Sequence, residues 1–170
     1  MNKLFKNNSE VNKSSPVKLS SHHLLAIEGM QKSEIQKLLD RADYFANLDK
    51  HTDTKYLSGY VVLNVFFENS TRTRVSFELA ARRLGAEVIN ISLINSSIKK
   101  GESLLDTAST LNAMKPDLLI VRHPHSGAPL LFAEYLSCSI INAGDGRHEH
   151  PTQALLDCLL YTSPSPRDYP

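Results

Sequence analysis

Three hydroxyls and two guanidinium groups are clustered in the stretch Ser70-Thr71-Arg72-Thr73-Arg74. The preceding residues, 60–67, form an apolar run of mostly β-branched and aromatic side chains, which predicts a buried strand. Residues 75–84 then repeat apolar positions four apart, as in a helix. A helix N-terminus carries unpaired N–H groups and the positive end of the helix dipole. We therefore predict a phosphate cradle at residues 70–73, where side-chain donors and a planar guanidinium add to the helix N-terminus.

An ordinary capped helix is the alternative interpretation of this cradle, because Ser or Thr is common at the N-cap of helices that bind nothing. Capping explains one hydroxyl, but it does not explain three hydroxyls together with two arginines. The stretch contains neither a Walker Gly-Lys-Ser/Thr motif nor a GxGxxG motif, so the sequence does not imply a nucleotide. We favour the anion site.

Arg122 follows a second predicted strand, residues 117–121, and precedes His123-Pro124. At such a position the arginine is held at the edge of a sheet, where a ligand can lie. The alternative is a surface charge that merely closes the strand.

His150 precedes a proline, and Pro151 suits the first turn of a helix. The histidine would then lie at the helix N-terminus, where the dipole disfavours protonation and leaves a neutral imidazole with one N–H to donate. A metal site built from His148, Glu149 and His150 is the alternative, but nothing in the sequence completes its ligand set.

Predicted strands and helices alternate along the chain. The strands are residues 60–67, 87–92, 117–121 and 139–142, and the helices are residues 31–48, 75–84, 102–114, 129–136 and a last one from residue 150. This order predicts an α/β fold, a parallel sheet with helices on both faces. Ligands of such sheets lie beyond the carboxyl ends of the strands, and the cradle, Arg122 and His150 all follow strand ends.

Composition narrows the class of protein. With 170 residues, 41% of them hydrophobic, the chain can bury one sizeable core. A formal charge of +1 offers no broad field for nucleic acid or an anionic membrane, and no apolar run reaches membrane-spanning length. Cys138 and Cys158 form no CxxC pair or disulfide framework, so we expect a reducing cytoplasm. The histidines at positions 22, 23 and 51 lie in polar surroundings and are expected on the surface.

The stretch from Phe67 to Arg74, followed by Ser76-Phe77-Glu78, resembles the carbamoyl-phosphate signature of the transcarbamoylase family. The resemblance extends over about residues 23–157 and is closest to the aspartate-specific branch. Features that favour this branch over the ornithine-specific one are Phe67-Glu68-Asn69, Lys99-Lys100-Gly101-Glu102 and Arg122-His123-Pro124. The resemblance implies transfer of the carbamoyl group of carbamoyl phosphate to L-aspartate, giving N-carbamoyl-L-aspartate and phosphate for pyrimidine biosynthesis. Ornithine carbamoyltransferase and a non-catalytic carbamoyl-phosphate-binding fragment stay open as alternatives.

The resemblance also implies roles for individual residues. Ser70, Thr71, Arg72 and Thr73 would bind the phosphate, and Thr73 would also reach the carbamoyl oxygen. Arg122 would contact the phosphate and the carbonyl oxygen. His150 would bind the carbonyl oxygen and Gln153 the carbamoyl amino group. Arg72, Thr73, Arg122 and His150 are thus the predicted catalytic residues, and no metal or other cofactor is required.

The loop that contains Ser96 and Lys100 would, by itself, be a solvated basic turn. In the family such a loop reaches into the active site of a neighbouring subunit, so Ser96 and Lys100 are expected to complete the partner's site. The resemblance therefore implies a homotrimer with active sites between subunits, and it leaves association with regulatory chains possible.

Three segments are expected along the chain: a disordered leader at residues 1–21, a carbamoyl-phosphate-binding domain at 22–157 and a tail at 158–170 that is foreign to the family. The prolines of this tail do not suit a continued helix. The tail is expected to be an artefact of read-through into a sequencing adapter, with a genuine divergent tail as the alternative. The aspartate-binding domain would then be absent, and we expect this chain alone to be inactive.

Overall fold

The computed structural model describes residues 18–49, 52, 54–93 and 103–162. Within them the helices are α1 (Lys32–Ala46), α2 (Thr71–Arg83), α3 (Leu104–Ala113), α4 (Ala128–Tyr135) and α5 (Pro151–Thr162), and the strands are β1 (Val61–Phe66), β2 (Glu87–Ser92), β3 (Leu118–His123) and β4 (Ser139–Asp145). The strands form one sheet in the order β2-β1-β3-β4, and every neighbouring pair is parallel. The predicted α/β fold with a parallel sheet is confirmed.

Helices cover both faces of the sheet because side chains of a strand alternate between its two faces. Leu63 and Val65 of β1 pack on one face with buried residues of α3 and α4. Val62 and Phe66 pack on the other face, where Ala81 of α2 joins them. The central strands are therefore apolar on both sides, as expected of a parallel sheet between two helical layers.

Two strands are longer than their apolar runs predict. β3 continues through Arg122 and His123, and β4 continues to Asp145. The register between them shifts, since Val121 pairs with Asn142 while His123 pairs with Asp145, so β4 carries one extra residue there. Hydrogen bonding between strands, rather than hydrophobicity, extends both elements into polar sequence. The resulting bulge lies at the carboxyl edge of the sheet, where bulges often redirect functional side chains.

Two helix boundaries also differ from expectation. α2 begins at Thr71, four residues before its apolar periodicity, so the cradle forms its first turn. α5 continues to Thr162, beyond the domain end expected at Asp157. The first proline after it is Pro164, and a proline restricts the residue before it, so a helix that ends at Thr162 is compatible with the sequence.

The amino-terminal segment is attached to the edge of the sheet. Leu24 N–H donates to the carbonyl of Ile140, and the ring Nδ1 of His23 accepts from the N–H of Ile140 at 3.1 Å. His23 was expected on the surface; it is partly exposed, and its ring is bonded to β4. Residues 1–17 of the expected leader and His51 lie outside the described residues, while Ser20 N–H donates to the carboxylate of Glu34.

None of the helices in the described residues is long and apolar enough to cross a membrane.

Candidate active site

An open pocket of about 450 Å³ lies at the carboxyl edge of the sheet. Its lining residues come from the start of α2, the end of β3 and the start of α5, and they are Asn69, Ser70, Thr71, Arg72, Thr73, Arg122, His150 and Gln153. The fold thus brings together all seven predicted site residues that lie within the described parts of the chain. Asn69 is the additional member. Ser96 and Lys100 lie outside the described residues.

The cradle half of the pocket is the first turn of α2 with its N-cap residue. Ser70 is that N-cap residue, and its side chain makes no capping hydrogen bond, although its carbonyl accepts from the N–H of Arg74 at 3.0 Å. No acidic side chain lies in the first turn of α2. The structure therefore does not support the ordinary capped helix, because the Ser70 hydroxyl is not used as a cap. The hydroxyl and the first N–H groups of the helix are available to an anion.

The other half of the pocket is built around Arg122, and we refer to it as the β3–β4 half. The Nε of Arg122 donates to Glu68 Oε1 at 2.6 Å, and its Nη1 donates to the carbonyl oxygen of Ala143 at 2.9 Å. Both partners of the ion pair are partly buried, with side-chain exposures of 23% and 33%. Two of the three guanidinium nitrogens are thus fixed by the protein, which orients the planar group before any ligand binds.

Gly144 makes room for this arrangement. Its φ of +119° is a backbone conformation that side chains disfavour. A Cβ atom at this position would lie 2.5 Å from Nη1 of Arg122 and 3.5 Å from Cδ2 of His150. Glycine is therefore required here by the backbone and by the close approach of two site residues. Sequence reasoning missed both Gly144 and the role of Glu68. A glycine just after an apolar run is the signal that could have indicated the former.

A buried polar network supports the bulge of β4. Asn142 Oδ1 accepts from Gly144 N–H at 2.8 Å, and its Nδ2 donates to Asp145 Oδ1 at 2.9 Å. The other carboxylate oxygen of Asp145 accepts from Gly127 N–H at 2.8 Å. Burial raises the pKa of Asp145, but hydrogen bonds from Gly127, Asn142, Glu149 and His148 together outweigh it and lower that pKa below its usual value. Asp145 is thus an anion that ties together the two loops beside the pocket.

His150 lies immediately before α5, and its carbonyl accepts from the N–H groups of Gln153 and Ala154. Burial, and then the nearby charge of Arg122, lower the pKa of His150. The predicted neutral imidazole is consistent with this direction, although the prediction rested on the helix dipole. The Gln153 side chain also lines the pocket, and its Nε2 donates to Asp157 Oδ1 at 2.9 Å.

The metal-site alternative finds no support in the part of the chain that the structure describes. No group of three His, Cys, Asp or Glu side chains there is placed to hold a metal ion. His148 contacts Asp145 instead, with 3.2 Å between Nδ1 and Oδ2.

The pocket as a whole suits a small phosphorylated ligand with a carbonyl group. The cradle supplies backbone N–H groups, hydroxyls and a guanidinium to phosphate oxygens. Arg122 and His150, on the opposite side, can donate to an oxygen that becomes negatively charged during reaction.

Residues 22–163 match the family described as aspartate/ornithine carbamoyltransferase, carbamoyl-P binding domain. The chain belongs to this carbamoyltransferase family. The family match ends at residue 163, so it also runs past the boundary expected at Asp157.

Among curated carbamoyltransferases, the aspartate carbamoyltransferase catalytic subunit of Dinoroseobacter shibae is 61% identical over 145 residues, or 83% of this chain and 45% of that protein. The same subunit of Jannaschia sp. is 58% identical over 142 residues, which cover 82% of this chain and 45% of the relative. The chain therefore spans less than half the length of the curated relatives it matches.

Solved carbamoyltransferase structures share the fold. The catalytic subunit of M. jannaschii aspartate transcarbamoylase superposes with a TM-score of 0.75 at 45% identity, over 82% of this chain and 46% of that one. Aspartate transcarbamoylase from Trypanosoma cruzi, in complex with carbamoyl phosphate and aspartate, superposes with a TM-score of 0.73 at 38% identity, over 81% of this chain and 43% of that one.

Proposed function

We propose that this chain supplies the carbamoyl-phosphate half of an aspartate carbamoyltransferase. The enzyme transfers the carbamoyl group to the amine of L-aspartate and forms N-carbamoyl-L-aspartate and phosphate for pyrimidine biosynthesis. The observation that carries the proposal is the single pocket lined by the cradle, Arg122, His150 and Gln153. The aspartate-specific choice is supported by the names of the relatives that are 61% and 58% identical.

Phosphate binding is the first task of the cradle. The N–H groups at the start of α2 and the hydroxyls of Ser70, Thr71 and Thr73 donate to phosphate oxygens, and Arg72 adds a positive charge. When the bond from the carbamoyl carbon to the phosphate oxygen breaks, its electron pair leaves with the phosphate. The same donors stabilise that added charge, and this lowers the barrier to departure of the leaving group.

Activation of the carbonyl is the task of the β3–β4 half. As the amine nitrogen bonds to the carbamoyl carbon, the carbonyl oxygen becomes an oxyanion. The guanidinium of Arg122 and a neutral His150 donate hydrogen bonds to it, together with the hydroxyl of Thr73. Gln153 orients the carbamoyl amino group. The proton that the amine loses as the new C–N bond forms is taken up by an oxygen of the departing phosphate.

The assembly of the enzyme is a further part of the proposal. Ser96 and Lys100 are proposed to act in the site of a neighbouring subunit, which requires an oligomer, and the family resemblance favours a homotrimer. Cytoplasmic location and association with regulatory chains also stay predictions of the sequence.

The experiment that tests the function joins residues 22–157 of this chain to the remainder of the Dinoroseobacter shibae catalytic subunit. The purified fusion is incubated with carbamoyl phosphate and either L-aspartate or L-ornithine, and products are separated by chromatography. Carbamoyl aspartate is expected and citrulline is not. The unmodified D. shibae subunit is the matched control.

Two outcomes would contradict the proposal. A folded trimeric fusion that binds phosphate but forms no carbamoyl aspartate would favour the non-catalytic binding fragment. A fusion that forms citrulline would favour the ornithine enzyme.

A further inference from the structure

Asn64 is a polar residue in an otherwise apolar layer. It lies in the middle of β1 and is completely buried. Its neighbours on the same face, Val62 and Phe66, pack with Phe77 and Ala81 of α2. A side chain at position 64 therefore faces the helix that begins with the cradle.

The Asn64 side chain connects the sheet to that helix. Its Nδ2 donates to the carbonyl oxygen of Arg74 at 3.1 Å and to Oδ1 of Asn90 at 2.8 Å. Asn90 lies directly opposite on β2. Because a carbonyl can only accept, the Arg74 oxygen determines that the NH₂ group, and not Oδ1, faces α2.

The orientation that reaches α2 has a cost. Oδ1 of Asn64 is buried, and no donor among the described residues bonds to it. A buried acceptor without a partner destabilises the folded state, whereas an apolar side chain of similar size would leave no such group. The amide is therefore a poor choice for core packing alone, and its donated hydrogen bonds are its distinctive contribution.

The contact with Arg74 lies one turn from the cradle. Arg74 N–H donates to the carbonyl of Ser70, the N-cap residue, at 3.0 Å. Two hydrogen bonds thus connect Asn64 through Arg74 to the start of α2. In the described parts of the chain, this is the one side-chain hydrogen bond that runs from a strand to α2. The apolar contacts of Phe77 and Ala81 lie further along the helix and leave its first turn less constrained.

We propose that Asn64 is a positioning residue for the phosphate cradle. Its amide fixes the first turn of α2 relative to β1, so that the donors of residues 70–73 lie at the right distance from Arg122. The inference rests on the proposed function, because it assigns Asn64 to the phosphate site of that function.

The test compares Asn64→Leu with Asn90→Ala in the 170-residue chain. Asn64→Leu removes the bond to Arg74 and keeps a side chain of similar size, whereas Asn90→Ala removes only the partner on β2. Inorganic phosphate is titrated into each protein and followed by ¹H–¹⁵N NMR, and urea unfolding is measured in parallel. We expect Asn64→Leu to weaken phosphate binding roughly tenfold, because misplaced binding groups lose affinity. Its resistance to urea should be unchanged or higher, and Asn90→Ala should bind phosphate like the parent.

Phosphate binding by Asn64→Leu at the affinity of the parent would overturn the inference. Asn64→Ser, which also cannot reach Arg74, is the second variant if the leucine protein does not fold. If neither variant folds, Asn64 is required for folding rather than for positioning the cradle. That result would equally overturn the proposal.

Hydrogen exchange separates this inference from the proposed function. If the parent chain does not bind phosphate, the proposed function fails, and amide exchange along α2 in the absence of ligand decides the inference. Faster exchange confined to the first two turns of α2 in Asn64→Leu would support it. An exchange pattern identical to that of the parent would overturn it.

Discussion

The cradle and the β3–β4 half face the same pocket, but they are built in different ways. The cradle consists of consecutive residues at a helix start, and the Ser70 side chain stays free of capping bonds. Arg122, by contrast, is already held by Glu68 and the carbonyl of Ala143. One half thus binds with donors that local backbone geometry leaves unpaired, and the other with side chains that distant segments hold in place. We expect substitutions in the cradle to affect ligand binding alone, and substitutions that disturb the β3–β4 half to affect binding and stability together.

The largest effect is expected for Arg72→Ala in the fusion enzyme. Arg72 is exposed and lines the pocket, so its loss removes stabilisation of the leaving phosphate. The activation free energy of turnover should rise by about 3 kcal/mol, by analogy with the loss of one oxyanion donor. Steady-state kinetics measure this effect, and urea unfolding should stay at the parental midpoint. Arg83→Ala, an exposed arginine at the other end of α2, is the matched control, and an unchanged rate for Arg72→Ala would refute the assignment.

Gly144→Ala should reduce both stability and phosphate affinity. The added Cβ would lie 2.5 Å from Nη1 of Arg122, on a backbone with φ of +119°. Backbone strain alone is expected to cost about 1–3 kcal/mol of unfolding free energy, measured with urea. Gly59→Ala is the matched control, because Gly59 also has a positive φ (+82°) but no atom within 4 Å of the added Cβ.

Together, the two glycine variants separate the effect of backbone strain from the effect of displacing Arg122. Both should lose stability, but only Gly144→Ala should lose phosphate affinity in an NMR titration. Parental affinity in Gly144→Ala would mean that the site does not depend on the close contact between Arg122 and β4.

His150 should titrate below the ordinary histidine pKa, because burial and then the charge of Arg122 disfavour its protonation. At pH values between the lowered pKa of His150 in the folded chain and the ordinary pKa of a histidine in the unfolded chain, the unfolded chain binds more protons. Stability should therefore decrease as the pH falls through that window. The titration of the Cε1–H signal by NMR measures the pKa, and Arg122→Gln should raise it only partly, since burial persists. A midpoint at or above the ordinary value would contradict the neutral imidazole that the mechanism requires.

The smallest effect is expected for Arg82→Ala, far along α2 from the cradle. Arg82 and Glu78 form an ion pair with 3.0 Å between Nε and Oε1, and 57% of the Arg82 side chain is exposed. Such pairs contribute no more than about 0.5 kcal/mol. A double-mutant cycle with Glu78→Ala, measured by urea unfolding, gives the coupling energy. A change in phosphate affinity would show that the distal half of α2 also shapes the pocket.

The order of strands and helices could be predicted from the sequence, as could all the residues that line the pocket except Asn69. Apolar periodicity predicts the elements, and polar residues at the ends of apolar runs indicate the cradle, Arg122 and His150. Gln153 was predicted only through the family resemblance. The strand ends at Arg122, His123 and Asp145 could not be predicted in this way. They are polar residues that belong to strands because a neighbouring strand pairs with them.

The sequence by itself determined where anion-binding groups follow strands, because one helix turn is enough to create the cradle. Only the tertiary structure decided how the other groups are held. Glu68 and Arg122 are 54 residues apart, and His23 and Ile140 are 117 apart. No local pattern encodes such contacts. The first depends on the parallel pairing of β1 with β3, and the second on the bridge between Leu24 and Ile141 of β4. Asn64 likewise resembles a polar interruption of a strand until the fold brings Arg74 against it.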